Sequence, residues 1–185
     1  EEKMNSDYKL NEYSLRLAEE KDTRSIIDFI NNKRKNSKLN LEKNLFINVM
    51  LNNYNYSSEN IRYSLYNFTE EFILIEKYGI INGVIAIDIP QNLSKAATIN
   101  LIILDDFIID KFKEIFKFTL CELDKKSIRD LTKIRVFIEE NLEYSEYWIK
   151  LYEDLGFVHE VTRAFEIEHR GPIKSMSIDT DLKGV

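Results

Sequence analysis

Ser145-Glu146-Tyr147-Trp148-Ile149-Lys150-Leu151-Tyr152-Glu153-Asp154-Leu155-Gly156-Phe157 decides the fold. It reads as a short amphipathic helix over 145–154, with Ser145 as its cap. The helix stops at Gly156, where a chain reversal favours a residue free in φ, and runs out into a strand from Phe157 to Ile167. Working back, Thr132–Ile138 reads as a strand. Phe107–Lys126 is the longest predicted helix, with Ile108, Phe112, Ile115, Phe116, Thr119 and Leu123 on one face. Ala97–Leu104 reads as a central strand covered on both faces, because hardly a polar side chain follows Asn100. Phe72–Tyr78 and Ile81–Ile89 form a hairpin about Gly79, and Pro90–Ser94 a turn. Nearer the start, Tyr13–Ala18 alternates as a strand. Asp22 or Thr23 caps a helix carrying Ile26, Ile27 and Ile30. Asn31–Asn40 is a polar loop and Leu41–Leu51 a second helix. Ser57 or Ser58 caps a third, which carries Ile61, Leu65 and Phe68. No glycine occurs between Gly83 and Gly156.

This order predicts an α/β (α+β) protein, a mixed sheet with helices on it. At 185 residues one domain is expected. It is assigned to 13–170, with 1–12 a flexible N-terminal segment and 171–185 a tail past Gly171-Pro172. A net charge of −6 argues against a general nucleic-acid partner, and Lys33-Arg34-Lys35 reads as a solvated helix end. No apolar run approaches the roughly 18 residues that cross a bilayer, and no secretory signal pattern opens the chain. The opening Glu1-Glu2-Lys3-Met4 is compatible with Met4 as the natural start or with a piece cut from something longer. The single cysteine, Cys121, excludes an internal disulfide framework and points to a reducing cytoplasm. Set in the long helix, it reads as a buried thiol. The two histidines, His159 and His169, have the spacing of neither a triad nor a metal site, so no metal is expected.

Three stretches resemble the GNAT family of acetyltransferases. Tyr13-Ser14-Leu15-Arg16-Leu17-Ala18-Glu19-Glu20-Lys21-Asp22 is similar to the family's opening strand and first helix. The segment Phe72–Ala86 is similar to its central hairpin, and Ser145–Phe157 to its closing helix and exit strand. The order matches over roughly 13–168. The resemblance implies a mostly antiparallel central sheet and transfer of an acetyl (acyl) group from acetyl-CoA to a small-molecule or peptide amine. The alternative is a catalytically inactive module of the same fold that binds a partner. Many members pair as homodimers; no stretch here identifies an interface.

The resemblance also assigns residues. Tyr152 stands where many members have a tyrosine that protonates the departing coenzyme A thiolate. A phenol with a pKa of about 10 is neutral at pH 7 and can give that proton; Tyr152 reads equally as a packed ring at a helix edge. Asp106 and Glu139, with Asp105 and Glu140 beside them, are candidates to take the amine proton, and each also reads as a solvated or capping carboxylate. Backbone at Ile102, Ile103, Leu104 and Asp105 would pair with the pantetheine arm. Ser145 falls where members often have an asparagine that contacts that arm. Asn100 would hold substrate or mark a wet edge. Tyr63, in a patch with Tyr54, Tyr56 and Tyr66, would line the acceptor site or simply pack.

The chain departs from the family at one place. Members open the long helix with Gln/Arg-x-x-Gly-x-Gly/Ala, whose glycines let backbone N–H groups approach the pyrophosphate. Here the sequence is Asp105-Asp106-Phe107-Ile108-Ile109-Asp110-Lys111-Phe112. It has no glycine, and its carboxylates satisfy the helix dipole themselves and repel a pyrophosphate. Weak acetyl-CoA binding is the expectation.

Overall fold

The computed structural model describes residues 8–10, 12–34, 40–42, 56–90, 95–105, 110–126, 131–140, 145–163 and 173–179. In chain order these form β1 (Tyr8–Leu10), β2 (Tyr13–Leu17), α1 (Thr23–Arg34), β3 (Asn40–Glu42), α2 (Ser58–Asn67), β4 (Glu70–Lys77), β5 (Ile80–Asp88), β6 (Ala96–Leu104), α3 (Phe112–Lys126), β7 (Lys133–Glu139), α4 (Ser145–Asp154), β8 (Val158–Arg163) and β9 (Ile173–Asp179). The strands lie in the order β1-β2-β4-β5-β6-β7-β9-β8, with β3 as a further partner of β6. Every pairing is antiparallel except β6 with β7. The predicted class, a mixed and mostly antiparallel sheet flanked by helices, is the one observed.

Side chains alternate across a strand, so the sheet feeds two cores. On one face Ile73, Ile75, Ile85, Ile87, Ala97 and Ile99 pack with α3 and α4. On the other, Phe72, Leu74, Val84 and Ala86 pack with Ile26, Ile30 and Ile61 of α1 and α2. The β4–β5 hairpin turns through Tyr78 and Gly79, both at positive φ (53° and 75°), the geometry that matches the right-handed twist of the flanking strands. Gly156 ends α4 at φ 96°, and the Phe157 N–H bonds back to the Tyr152 carbonyl at 2.9 Å. Ser57 caps α2 by accepting from the Asn60 N–H.

Arg16 ties β2 to its neighbours. Its guanidinium donates to Asp22 at 2.7 and 2.9 Å and to Glu76 at 2.7 and 3.0 Å. Burial alone would raise the Asp22 carboxyl; the Arg16 bonds and the Glu19 N–H more than offset it and hold it below the usual aspartate range.

Several expectations are corrected. Tyr8–Leu10, read as part of a flexible segment, pairs with β2. Leu41, read as helical, lies in strand β3; 43–51 of that expected helix fall outside the described residues. Phe68 is not on the core stripe: it takes φ 53° as the α2 C-cap and is exposed. Helix α3 is described from Phe112; 107–109 of the expected helix fall outside the described residues. Cys121 is exposed, not buried. Ile173–Asp179, read as tail, is strand β9, seated between β7 and β8. Its alternate residues Ser175 and Ser177 are buried, and buried serines hide the strand from any hydrophobic pattern.

Those serines sit beneath a polar clamp. Between His159 and Val161 the β8–β9 register slips, leaving Glu160 as the extra residue. Glu160 accepts from Ser175 on β9 at 2.8 Å and from Arg135 on β7 at 2.7 and 3.1 Å, so one carboxylate spans three strands. The Arg135 bonds outweigh partial burial and hold Glu160 well below the usual glutamate range. In the unfolded chain a glutamate takes up its proton near pH 4.3. This contribution is therefore complete above that pH and is lost as pH falls further. Because the group meets solvent, the loss expected between pH 7 and pH 3 is about 1 kcal/mol. Glu160→Gln should flatten that part of the acid limb in urea melts; an unchanged pH dependence would remove the clamp from the account.

Candidate active site

Strands β6 and β7 pair only across Ala96–Thr98 with Lys133–Arg135. Beyond Thr98 they part: β7 continues to Glu139 along β9, and β6 continues to Leu104 along β5. The parting coincides with a bulge. Ala86 faces Leu101 and Ile87 faces Ile99, so Asn100 is the extra residue. A bulge reverses the in-out alternation of the strand. Before it, Ala97 and Ile99 face α3 and α4; after it, Ile102 and Leu104 do, while Leu101 and Ile103 face the other core. The Asn100 Oδ1 is buried at this apex without a hydrogen-bond partner among the described residues.

The edge of β6 past the bulge carries its own occupant. Strand β3 runs antiparallel along it, Asn40 opposite Ile103, Leu41 opposite Ile102 and Glu42 opposite Leu101. Since β5 already covers the other edge of these residues, Ile102 and Ile103 are paired on both sides. Leu104, just past this ladder, pairs with Gly83 of β5.

Asp105 follows at once and is 8% exposed. Its N–H donates to the Asn82 carbonyl and its Oδ2 accepts from Asn82 Nδ2, both at 2.8 Å. Its Oδ1 forms an ion pair with Lys33 of α1. Lys33, read as a solvated helix end, is thus the counter-ion of one of the three carboxylates expected to repel a cofactor. Asp110 is exposed just before α3. Asp106 and the rest of the glycine-free loop, 106–109, lie outside the described residues.

Helix α4 supplies Tyr152. It is fully buried, in an aromatic box with Phe112 (ring centres 5.7 Å apart, 85° between planes), Phe157 (4.8 Å, 68°) and Trp148 (6.0 Å, 31°). Its hydroxyl has no hydrogen-bond partner among the described residues, and burial pushes the phenol well above its ordinary value near 10. Trp148, one helical turn earlier and so on the same face, likewise leaves its buried Nε1 without a partner among the described residues. Buried polar groups are nearly always bonded, and a native exception calls for an explanation. Ser145 is buried at the start of α4. Glu139 ends β7, where its backbone pairs with Ile173.

Of the tyrosine patch, Tyr56 is buried and donates to Glu70 at 2.7 Å, whereas Tyr63 and Tyr66 are exposed on α2. Tyr54 lies outside the described residues. A surface cavity of about 550 Å3 opens beside α2, lined by Glu19, Glu20, Arg62, Tyr66, Phe68 and Glu71 among others; Tyr63 does not line it. Sequence reasoning missed β3, Lys33, Asn82 and the indole of Trp148. Only the last left a signal, the four-residue spacing to Tyr152.

No family model matches the chain, and no curated protein matches it in sequence. Solved structures do. Ribosomal-protein-S5-alanine acetyltransferase from Vibrio fischeri superposes with a TM-score of 0.68 at 16% identity, covering 96% of this chain and 98% of that one. A GNAT-family acetyltransferase from Streptococcus pneumoniae gives 0.66 at 18%, covering 91% and 99%. Spermidine N-acetyltransferase from Vibrio cholerae, in complex with CoA and spermine, gives 0.62 at 20%, covering 91% and 95%. The chain therefore has the fold of the GNAT acetyltransferases over nearly its whole length.

Proposed function

We propose that this chain is an N-acyltransferase that moves an acetyl group from acetyl-CoA to an amine. The observation that carries the reading is the parting of β6 and β7 at the Asn100 bulge, with Tyr152 buried in the core on one face of the same sheet and its hydroxyl without a partner among the described residues. The residues fit acetyl-CoA in part. An unsatisfied donor waits in an apolar box, which suits a thioester sulfur, whereas the β6 edge needed by the pantetheine amides is already paired with β3.

Bound acetyl-CoA would supply an acyl carbon activated as a thioester. In this reading Ile102, Ile103, Leu104 and Asp105 present backbone to its arm, with Ser145 at its flank. Tyr152 would give its phenolic proton to the leaving sulfur as the carbon–sulfur bond broke and the amine nitrogen bonded to the acyl carbon. Its raised pKa keeps it protonated throughout the neutral range. Asp106 or Glu139 takes the amine proton, which returns to Tyr152 through solvent. Asn100 and Tyr63 are assigned to the amine side. The cavity beside α2 is lined by Glu19, Glu20 and Glu71; a cationic acceptor there would exchange with Lys21 on Glu19 and Arg62 on Glu20, both exposed pairs.

Thermal unfolding with acetyl-CoA tests this. A ligand at about 100 times its Kd adds about 2.7 kcal/mol, which in a chain of this size raises the midpoint by roughly 5–10 °C. A shift of that order together with acetyl transfer to a polyamine is expected. No shift at millimolar concentration and no transfer would leave only a binding module with this fold.

A further inference from the structure

We infer that β3 is a built-in competitor for the acyl donor, a strap that must leave the β6 edge before the donor's arm can pair there. This rests on the reading of the site as an acyl-CoA site.

A β-strand has two edges, and across Leu101–Ile103 both are filled, by β5 on one side and by β3 on the other. The edge β3 takes is the one that β7 abandons at Thr98. It is therefore the sole edge of the opening on which an extended ligand could form a ladder with β6. The pairing is short, three residues against the eight aligned positions of β4 with β5. A short ladder has few hydrogen bonds to lose, and an extended molecule with amides at strand-like spacing offers the same bonds in return. The exchange is nearly even, so the strap lowers apparent affinity without abolishing it. The observed affinity equals the intrinsic one reduced by the fraction of molecules whose edge is free.

Two variants set the strap in opposite states. Replacing both Leu41 and Glu42 by proline removes two N–H donors, so the ladder fails whichever of the two it uses. Pairing Glu42→Cys with Leu101→Cys at directly opposite positions allows a cross-strand disulfide, since opposed Cα atoms lie about 4.5–5.5 Å apart. Cys121 is exposed and is replaced by serine in that protein. Acetyl-CoA binding is measured by calorimetry for the wild type, the proline variant, and the double-cysteine protein oxidised and reduced. The expected result is at least ten-fold tighter binding by the proline variant, no detectable binding by the oxidised lock, and recovery on reduction. Reduction returns the same polypeptide, so loss of fold is separated from loss of the edge. Equal affinity in all four forms overturns the strap and leaves the acyltransferase reading standing. Absence of binding in every form, the proline variant included, overturns that reading and the strap with it.

Discussion

Tyr152→Phe should lower turnover by roughly 100-fold or more while changing acetyl-CoA affinity less than three-fold. General acid catalysis by a positioned side chain is worth about two to four orders of magnitude. The ring remains in its box against Phe112, Trp148 and Phe157, so binding surface is conserved. Stability should move the opposite way from activity. The hydroxyl is buried without a partner among the described residues, and an unsatisfied buried group costs about 1–3 kcal/mol. Its removal should raise the melting midpoint of the ligand-free protein by a few degrees. Because burial lifts the phenol well above 10, no fall in rate assignable to this group should occur below about pH 10. A purely structural tyrosine would leave kcat untouched, and that result would end its role as the acid.

The largest stability effect is expected for Phe112→Ala. Phe112 opens α3, is 1% exposed, and meets Trp148 edge-on at 5.5 Å, Tyr152 at 5.7 Å and Phe116 at 6.1 Å. Truncating a fully buried phenylalanine costs about 3–5 kcal/mol, part of it from the cavity left behind. A drop of about 4 kcal/mol lowers the midpoint by roughly 10 °C. Phe112→Leu, which refills most of the space, should cost less than half as much. Chemical denaturation of the three proteins decides it. A loss under 1 kcal/mol for the alanine variant would mean that the rings of α3 and α4 do not share one core.

The fold was legible where the chain obeys its own periodicity. Ser145–Asp154 with Gly156, and the hairpin about Gly79, combine apolar spacing with a residue that can turn the chain, and both stand as read. Strand Ala97–Leu104 was placed within a residue, but its bulge was not. Asn100 looked like a lone polar residue in an apolar run, and only the register against Ile87 and Ala86 makes it the extra residue that reverses the strand. β9 was missed because Ser175 and Ser177 are buried under a carboxylate from another strand, a condition no local pattern encodes. The same holds for the site. Tyr152 was found by its place in a helix, whereas Lys33 against Asp105 and β3 against β6 are contacts between segments far apart in sequence.

The position of β9 has a consequence for biosynthesis. The central strands are all present once residue 104 has emerged, and the half of the sheet built on β2, β4, β5 and β6 can close while translation continues. β7 and β8, by contrast, are joined only through residues 173–179. Until those are made, the outer backbone groups of β7 and both margins of β8 have no mate among the described strands, and unmated strand margins invite association between nascent chains. Ribosome pausing between residues 163 and 173 would prolong that vulnerable interval, and the seventh and eighth strands would wait longest for their seal.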